Sequence, residues 1–177
     1  MPLPIAHGLV GASVVALCHP KSSFMRDWKL LLLGAILAIS PDFDFFLIWS
    51  LHLGRGLHRG FTHSILVALI VTFFLSVIIG LSHIRVALAC GAAFLSHGLL
   101  DFATTKRGGG VELLFPFSSA RLKLSVIGIS EFPYGFQLLE IIKSSVIELV
   151  LFTPMLLVIL LVREYAASDF NSVKGAS

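Results

Sequence analysis

Polar residues are sparse along this chain and come in bunches, so the apolar stretches between them mark out its elements. Ser64–Ser82 runs 19 residues without a charge, and Val146–Val162 carries only Glu148 near its start. Each approaches the roughly 20 residues that a helix needs to cross a bilayer core. Read this way, the chain is expected to form five apolar helices: about Ile5–Cys18, about Leu30–Leu53 interrupted by "SPDFD", about His63–Ser82, about Val86–Leu100 and about Gln137–Arg163. A long connection, about Phe102–Phe136, contains "TTKRGGG" and several Pro and Gly residues. No internal repeat is visible, so residues 1–165 are expected as a single helical membrane domain. The polar tail, 166–177, is expected to be disordered.

Composition sharpens the class. Of 177 residues, 56% are hydrophobic and only 13% charged, where soluble domains carry roughly 45–50% and about 25%. Mean hydropathy is +0.95. The fold class expected is all-α, a polytopic helical membrane protein. A net charge of +3 reflects basic loops. No Lys/Arg cluster with interleaved aromatics is present, so nucleic acid is excluded as a partner. Cys18 and Cys90 lie in apolar segments without partners at metal-ligand spacing and read as small core residues. The N-terminus lacks a basic region ahead of its apolar run and a small-residue cleavage site after it, which reads as a retained first helix.

If every segment crosses, the N-terminus, the second-to-third connection and the fourth-to-fifth connection share one face. His7, "HRGFTHS" and the "SHGLLDF" end of helix four then meet there, while the other face keeps only His19 and His83 of the seven histidines. Basic residues divide nearly evenly between the two faces, so no orientation follows from them.

Each polar motif has a structural and a functional reading. His97 and Asp101 in "SHGLLD" are four apart, so they share a helix face and can chelate a borderline metal or simply hydrogen-bond to each other at a helix end. His58 and His63 in "HRGFTHS" are ligand candidates or interfacial loop residues, with Thr62 and Ser64 as caps for the next helix. In "SPDFD", Ser40 as N-cap, Pro41 at the first helical position and Asp42 and Asp44 in the first turn make an ordinary helix start. It falls inside an apolar run, however, where ionisable groups are costly and face a cavity or a partner. Together His7, Asp42, Asp44, His58, His63, His97 and Asp101 supply four imidazoles and three carboxylates to one face. That is the ligand inventory of a one- or two-metal hydrolytic site. Arg59 reads as a partner for an anionic substrate group or as a juxtamembrane charge. His52 has no partner at a telling spacing, and Glu148 is the one charge near the start of the last apolar run. There is no Gly-x-Ser-x-Gly, Walker or dinucleotide motif.

The early His7, "PDFD", "HRGFTHS", "SHGLLD" and a following "LLFPF", in that order, resemble the inner-membrane metal-dependent hydrolase family of the YdjM type, also described as LexA-binding. The likeness covers about residues 1–120. More remotely, the chain is similar to zinc-dependent phospholipase C, which shares an early His, a Pro-Asp, a further His and a His-x-x-x-Asp pair. That likeness implies Asp42, His58 or His63, His97 and Asp101 as ligands. The phospholipase uses further His and Glu ligands downstream, whereas no histidine follows His97 here, so one or two ions are the most that the likeness supports.

The expectation is therefore a hydrolase of a bacterial or archaeal inner membrane, using zinc, with manganese as the alternative. A metal-bound hydroxide would attack an ester or phosphoester, with Asp44, or Asp42 where it is not a ligand, as general base. A site at the lipid boundary suits a phospholipid or lipid-linked phosphate, and no protein partner is indicated. The rival reading is a non-enzymatic scaffold or regulator in which a closed metal site or a His–carboxylate network ties helices together. A metal or proton transporter ranks last, because helices three and five offer almost no polar path onward.

Overall fold

The computed structural model describes residues 2–18, 24–54, 57–106, 109–126 and 137–175. His19, Arg55, Arg107 and the 127–136 part of the connection lie outside them. Six helices follow in order: α1 (Pro4–Cys18), α2 (Phe24–Ile39), α3 (Asp44–Ser50), α4 (Ile65–Ile79), α5 (Ile84–Thr104) and α6 (Leu138–Gly175). Tight 3-10 turns lie at Ser40–Phe43, Phe61–His63 and Leu81–His83. Among the described residues there is no strand, only a single backbone bridge between Val111 and Leu122. The architecture is all-α, as the apolar periodicity implies.

Three stretches are long and apolar enough to cross a membrane: Asp27–Ser50, Leu81–Thr104 and Leu138–Ala166. The α1 and α4 helices are apolar but have 15 residues each, about 22 Å at 1.5 Å per residue against a hydrocarbon core of about 30 Å. The five expected apolar segments thus appear as three long ones and two short ones. The α4 helix starts later than expected because Ser64 is its N-cap, accepting a hydrogen bond from the Val67 amide. It stops at Gly80, whose φ of +85° a helix cannot continue.

The "SPDFD" stretch behaves differently from the ordinary helix start it resembles. Pro41 has no N–H, so it brings no donor to the carbonyls three and four residues before it, those of Ala38 and Leu37. Ser40 does not cap; its hydroxyl turns back and donates to the Leu37 carbonyl at 2.8 Å. The α2 helix therefore tightens through Ser40–Phe43 and re-forms as α3, which keeps Asp42 and Asp44 midway along one span.

The α5 helix sits at the centre, packed against α1, α2 and α4, while α6 packs on α1. Its buried face is built from small residues, including Ala87, Ala89, Cys90, Gly91 and Ala93, with His97 and Asp101 one and two turns further on. Small side chains let helix backbones approach closely where lipid gives no hydrophobic drive for association. The same holds at the α1–α2 contact, where a Cβ on Gly11 would collide with the Cβ of Ala38. Cys90 is in this core, but Cys18 is exposed at the end of α1, contrary to the expectation for both. The α6 helix runs on to Gly175, past residue 165, since Ala166–Lys174 contains neither Pro nor Gly to stop it. At the end of the bundle remote from His97, Arg163 Nη2 donates to Asp27 Oδ2 at 3.1 Å and ties α6 to α2.

Gly11→Val should cost about 1–3 kcal/mol through overpacking, read as a lowered thermal midpoint in detergent. An unchanged midpoint would mean that α1 and α2 do not approach this closely.

Candidate metal centre

Five side chains from four parts of the chain meet in the interior. The α5 helix presents His97 and Asp101 on one face, both 0% exposed. Asp42 comes from the 3-10 turn after α2, His63 from the turn before α4, and His7 from the first turns of α1. His97 Nε2 lies 3.0 Å from His63 Nε2 and 3.3 Å from Asp42 Oδ1. His63 Nε2 is 3.6 Å from Asp42 Oδ1 and 4.0 Å from Asp101 Oδ2. His7 Nε2 is 3.6 Å from Asp101 Oδ1, and its ring stacks on His97 with centroids 3.8 Å apart. Two sets of three donors, His7–Asp42–His97 and His63–His97–Asp101, each have their ligand atoms within 4.8 Å of one another.

Hydrogen bonds around the cluster decide where the imidazole protons sit. The Ala38 carbonyl, at the end of α2 where the helix tightens into the 3-10 turn, accepts from His97 Nδ1 at 2.6 Å. A carbonyl only accepts, so Nδ1 carries a proton and, in the neutral ring, Nε2 keeps its lone pair. Thr62 Oγ1 donates its one proton to Asp44 Oδ2 at 3.0 Å, so it accepts from His63 Nδ1 at 2.9 Å. His63 Nε2 is then bare as well. Desolvation by burial is the largest influence on His63 and holds its pKa below the ordinary histidine value, which keeps the ring neutral at neutral pH. Two acceptor nitrogens facing each other at 3.0 Å are stable only with a cation or a shared proton between them.

The neighbouring atoms point the same way. Both ring nitrogens of His7, Asp42 Oδ1 and both Asp101 oxygens are buried without a hydrogen-bond partner. Each such atom costs about 1–3 kcal/mol when left unsatisfied, and here they converge on one place. The donors are nitrogen and oxygen, with neither cysteine among them. This set fits zinc or manganese. Because Ala38 occupies Nδ1 of His97, the shared Nε2 can serve one ion, so the two triads describe one centre and not two independent ones.

The remaining candidates fall around this centre. Asp44 and His58 pair with each other, His58 Nδ1 to Asp44 Oδ1 at 2.9 Å, and belong to neither triad. His58 Nε2 is buried without a partner. Arg59 does not stand open to a substrate: its Nε lies 3.3 Å from Asp101 Oδ2, close enough to pair the charges although off the hydrogen-bond line. Its φ of +62° is unusual for a side chain of this size. The Glu112 amide donating to the Arg59 carbonyl at 3.0 Å holds it there, and Arg121 Nη2 donates to the His58 carbonyl at 3.4 Å. The connection after α5 thus clamps the "HRGFTHS" turn, with Ile65 N also bonded to the Leu113 carbonyl at 3.0 Å. Gly98 completes the seat, since a Cβ there would lie 2.6 Å from the His63 carbonyl oxygen. His52 and His83 stay outside the cluster, beside Trp49 and Leu53 along an apolar groove and beside Ser82 respectively. Sequence reasoning did not single out the Ala38 carbonyl, and it took Thr62 for a cap.

The order and spacing of these motifs can be set against known proteins. A family described as "YdjM inner membrane protein" matches residues 1–169. The chain belongs to the YdjM inner membrane protein family. It is accordingly an integral inner-membrane protein. Similar proteins include the inner membrane protein YbcI of Escherichia coli strain K12, 36% identical over 130 residues, which cover 63% of this chain and 72% of that protein. Another is the Bacillus subtilis strain 168 protein YvsG, 34% identical over 122 residues covering 69% of this chain and 62% of that protein. No solved structure matches. For this YdjM-family chain, the geometry separates ligands from bystanders by experiment. Elemental mass spectrometry on purified protein should find bound zinc or manganese strongly reduced in His97→Ala and Asp101→Asn but retained in His58→Ala. Equal loss in all three would put His58 back among the ligands.

Proposed function

We propose that the chain is a membrane-embedded hydrolase with one divalent ion, zinc or manganese, acting on an ester or phosphoester of an amphiphilic lipid substrate. When bound, the ion supplies a Lewis acid that acidifies a water and polarises the reacting oxygen. His7, Asp42, His63, His97 and Asp101 would hold it. The two triads share His97 and together offer five nitrogen and oxygen donors.

The observation that carries the reading is the His58–Asp44 pair beside that cluster. Asp44 holds the proton on His58 Nδ1, which leaves Nε2 to accept or return a proton in the way that an orienting carboxylate prepares a general base. Through Thr62 the same carboxylate also reaches His63, whose ring centroid lies 5.8 Å from that of His58. General-base duty thus falls to His58, with Asp44 in support, in place of a free carboxylate. Arg59 balances one of the two buried carboxylates and keeps Asp101 in place.

An apolar groove supports the substrate class. Its volume is about 1060 Å³, just above the roughly 300–1,000 Å³ usual for small-molecule sites. Phe45, Phe46, Ile48, Trp49 and Leu53 line it, and His58 stands on its wall against the Phe45 ring. A hydrocarbon chain in this groove would bring a head-group ester to His58.

The test is hydrolysis of fluorogenic acyl-ester and phosphoester lipids by zinc- or manganese-loaded protein in detergent. Turnover should vanish on chelation and fall roughly 10²- to 10⁴-fold in His58→Ala with metal content unchanged. Metal-loaded, folded protein that cleaves neither bond type would contradict the hydrolase reading and favour the non-enzymatic scaffold.

A further inference from the structure

The α1 helix begins at Pro4, and the residues ahead of it, "MPL", carry no side chain able to cap a helix. The amides left over at a helix start are ordinarily satisfied locally. In a capping box, the side chain at the third helical position takes the N-cap amide and the N-cap side chain takes the third amide. Here those positions are Leu3 and Ala6, both apolar. Glu148, on α6 and more than 140 residues away, takes both: Leu3 N donates to Oε1 at 2.5 Å and Ala6 N to Oε2 at 3.0 Å. One carboxylate thus does the work of both halves of a capping box. Its negative charge also sits at the positive end of the α1 dipole.

The side chain is 0% exposed within an otherwise uncharged apolar segment, where a carboxylate is expensive unless it has a task. His7 is the residue immediately after Ala6. Its place against His97 and Asp101 depends on where the first turn of α1 is held.

We propose that Glu148 is a positioning residue for the metal centre: it anchors the first turn of α1 and so sets His7 as a ligand. The inference rests on the metal reading above, though not on the hydrolase reading. It makes α6, which contributes no ligand of its own to either triad, part of the site's construction. Glu148→Gln keeps the volume but can accept only one of the two amides and turns a donor toward the other.

The test measures zinc affinity of wild type, Glu148→Gln, His7→Ala and the double variant by competition with a chromogenic chelator. Glu148→Gln should weaken zinc binding roughly 10- to 100-fold, the range for residues that orient metal ligands. In the His7→Ala background it should add nothing further, because residues that act through one another are not additive. A merely structural role predicts additive losses, which would overturn the proposal, as would wild-type affinity in Glu148→Gln. If that variant does not fold, Glu148→Asp serves in the same cycle, since it keeps the charge but retracts the carboxylate by one methylene. A wild type that binds no zinc overturns the metal reading itself and this inference with it.

Discussion

Everything else in this protein answers to one constraint: three imidazoles and two carboxylates are held away from water inside an apolar bundle. Desolvation penalises each charge, and each unpaired donor or acceptor adds its own cost. Arg59 compensates Asp101, while among the described residues His63 and His97 are the ones paired with Asp42. The facing lone pairs of His63 and His97 make the same demand for positive charge at the same point. A divalent ion meets both demands at once, and that is the physical case for a metal centre.

The fold supplies this arrangement through one backbone defect. Pro41 interrupts the α2–α3 span. The interruption places Asp42 and Asp44 within the span, and beside it the Ala38 carbonyl, at the end of α2, fixes the His97 tautomer. Asp42 then faces the cluster while Asp44 faces the "HRGFTHS" turn, where it bonds both His58 and Thr62. The broken helix, tolerated in membranes only where it lines protein or a polar site, therefore divides the two carboxylates between the buried cluster and the turn that supports it. The connection after α5 finishes the work by pinning the turn that carries His58, Arg59 and His63.

Much of this was legible in the residues. Long uncharged runs gave the membrane class, and the break at Pro41 with its carboxylates marked a polar site within a span. Alternating crossings were enough to gather His7, the "HRGFTHS" turn and the His97–Asp101 pair at one face. The division of labour was not legible. Whether His58 or His63 points inward depends on a positive φ at Arg59 and on contacts from a connection some 50 residues later, neither of which leaves a periodic trace. Glu148 was visible as an odd charge in an apolar helix, but its task depends on a partner near the other end of the chain. The run of α6 to Gly175 was hidden because polar composition marks exposure and not disorder.

The most direct test of the metal centre is X-ray absorption at the zinc edge on wild-type protein reconstituted with zinc in detergent. The account predicts retained zinc with a coordination shell of nitrogen and oxygen only, and with the outer-shell scattering of more than one imidazole. Zinc that washes out of folded protein, or a shell containing sulfur or lacking imidazole, would contradict it.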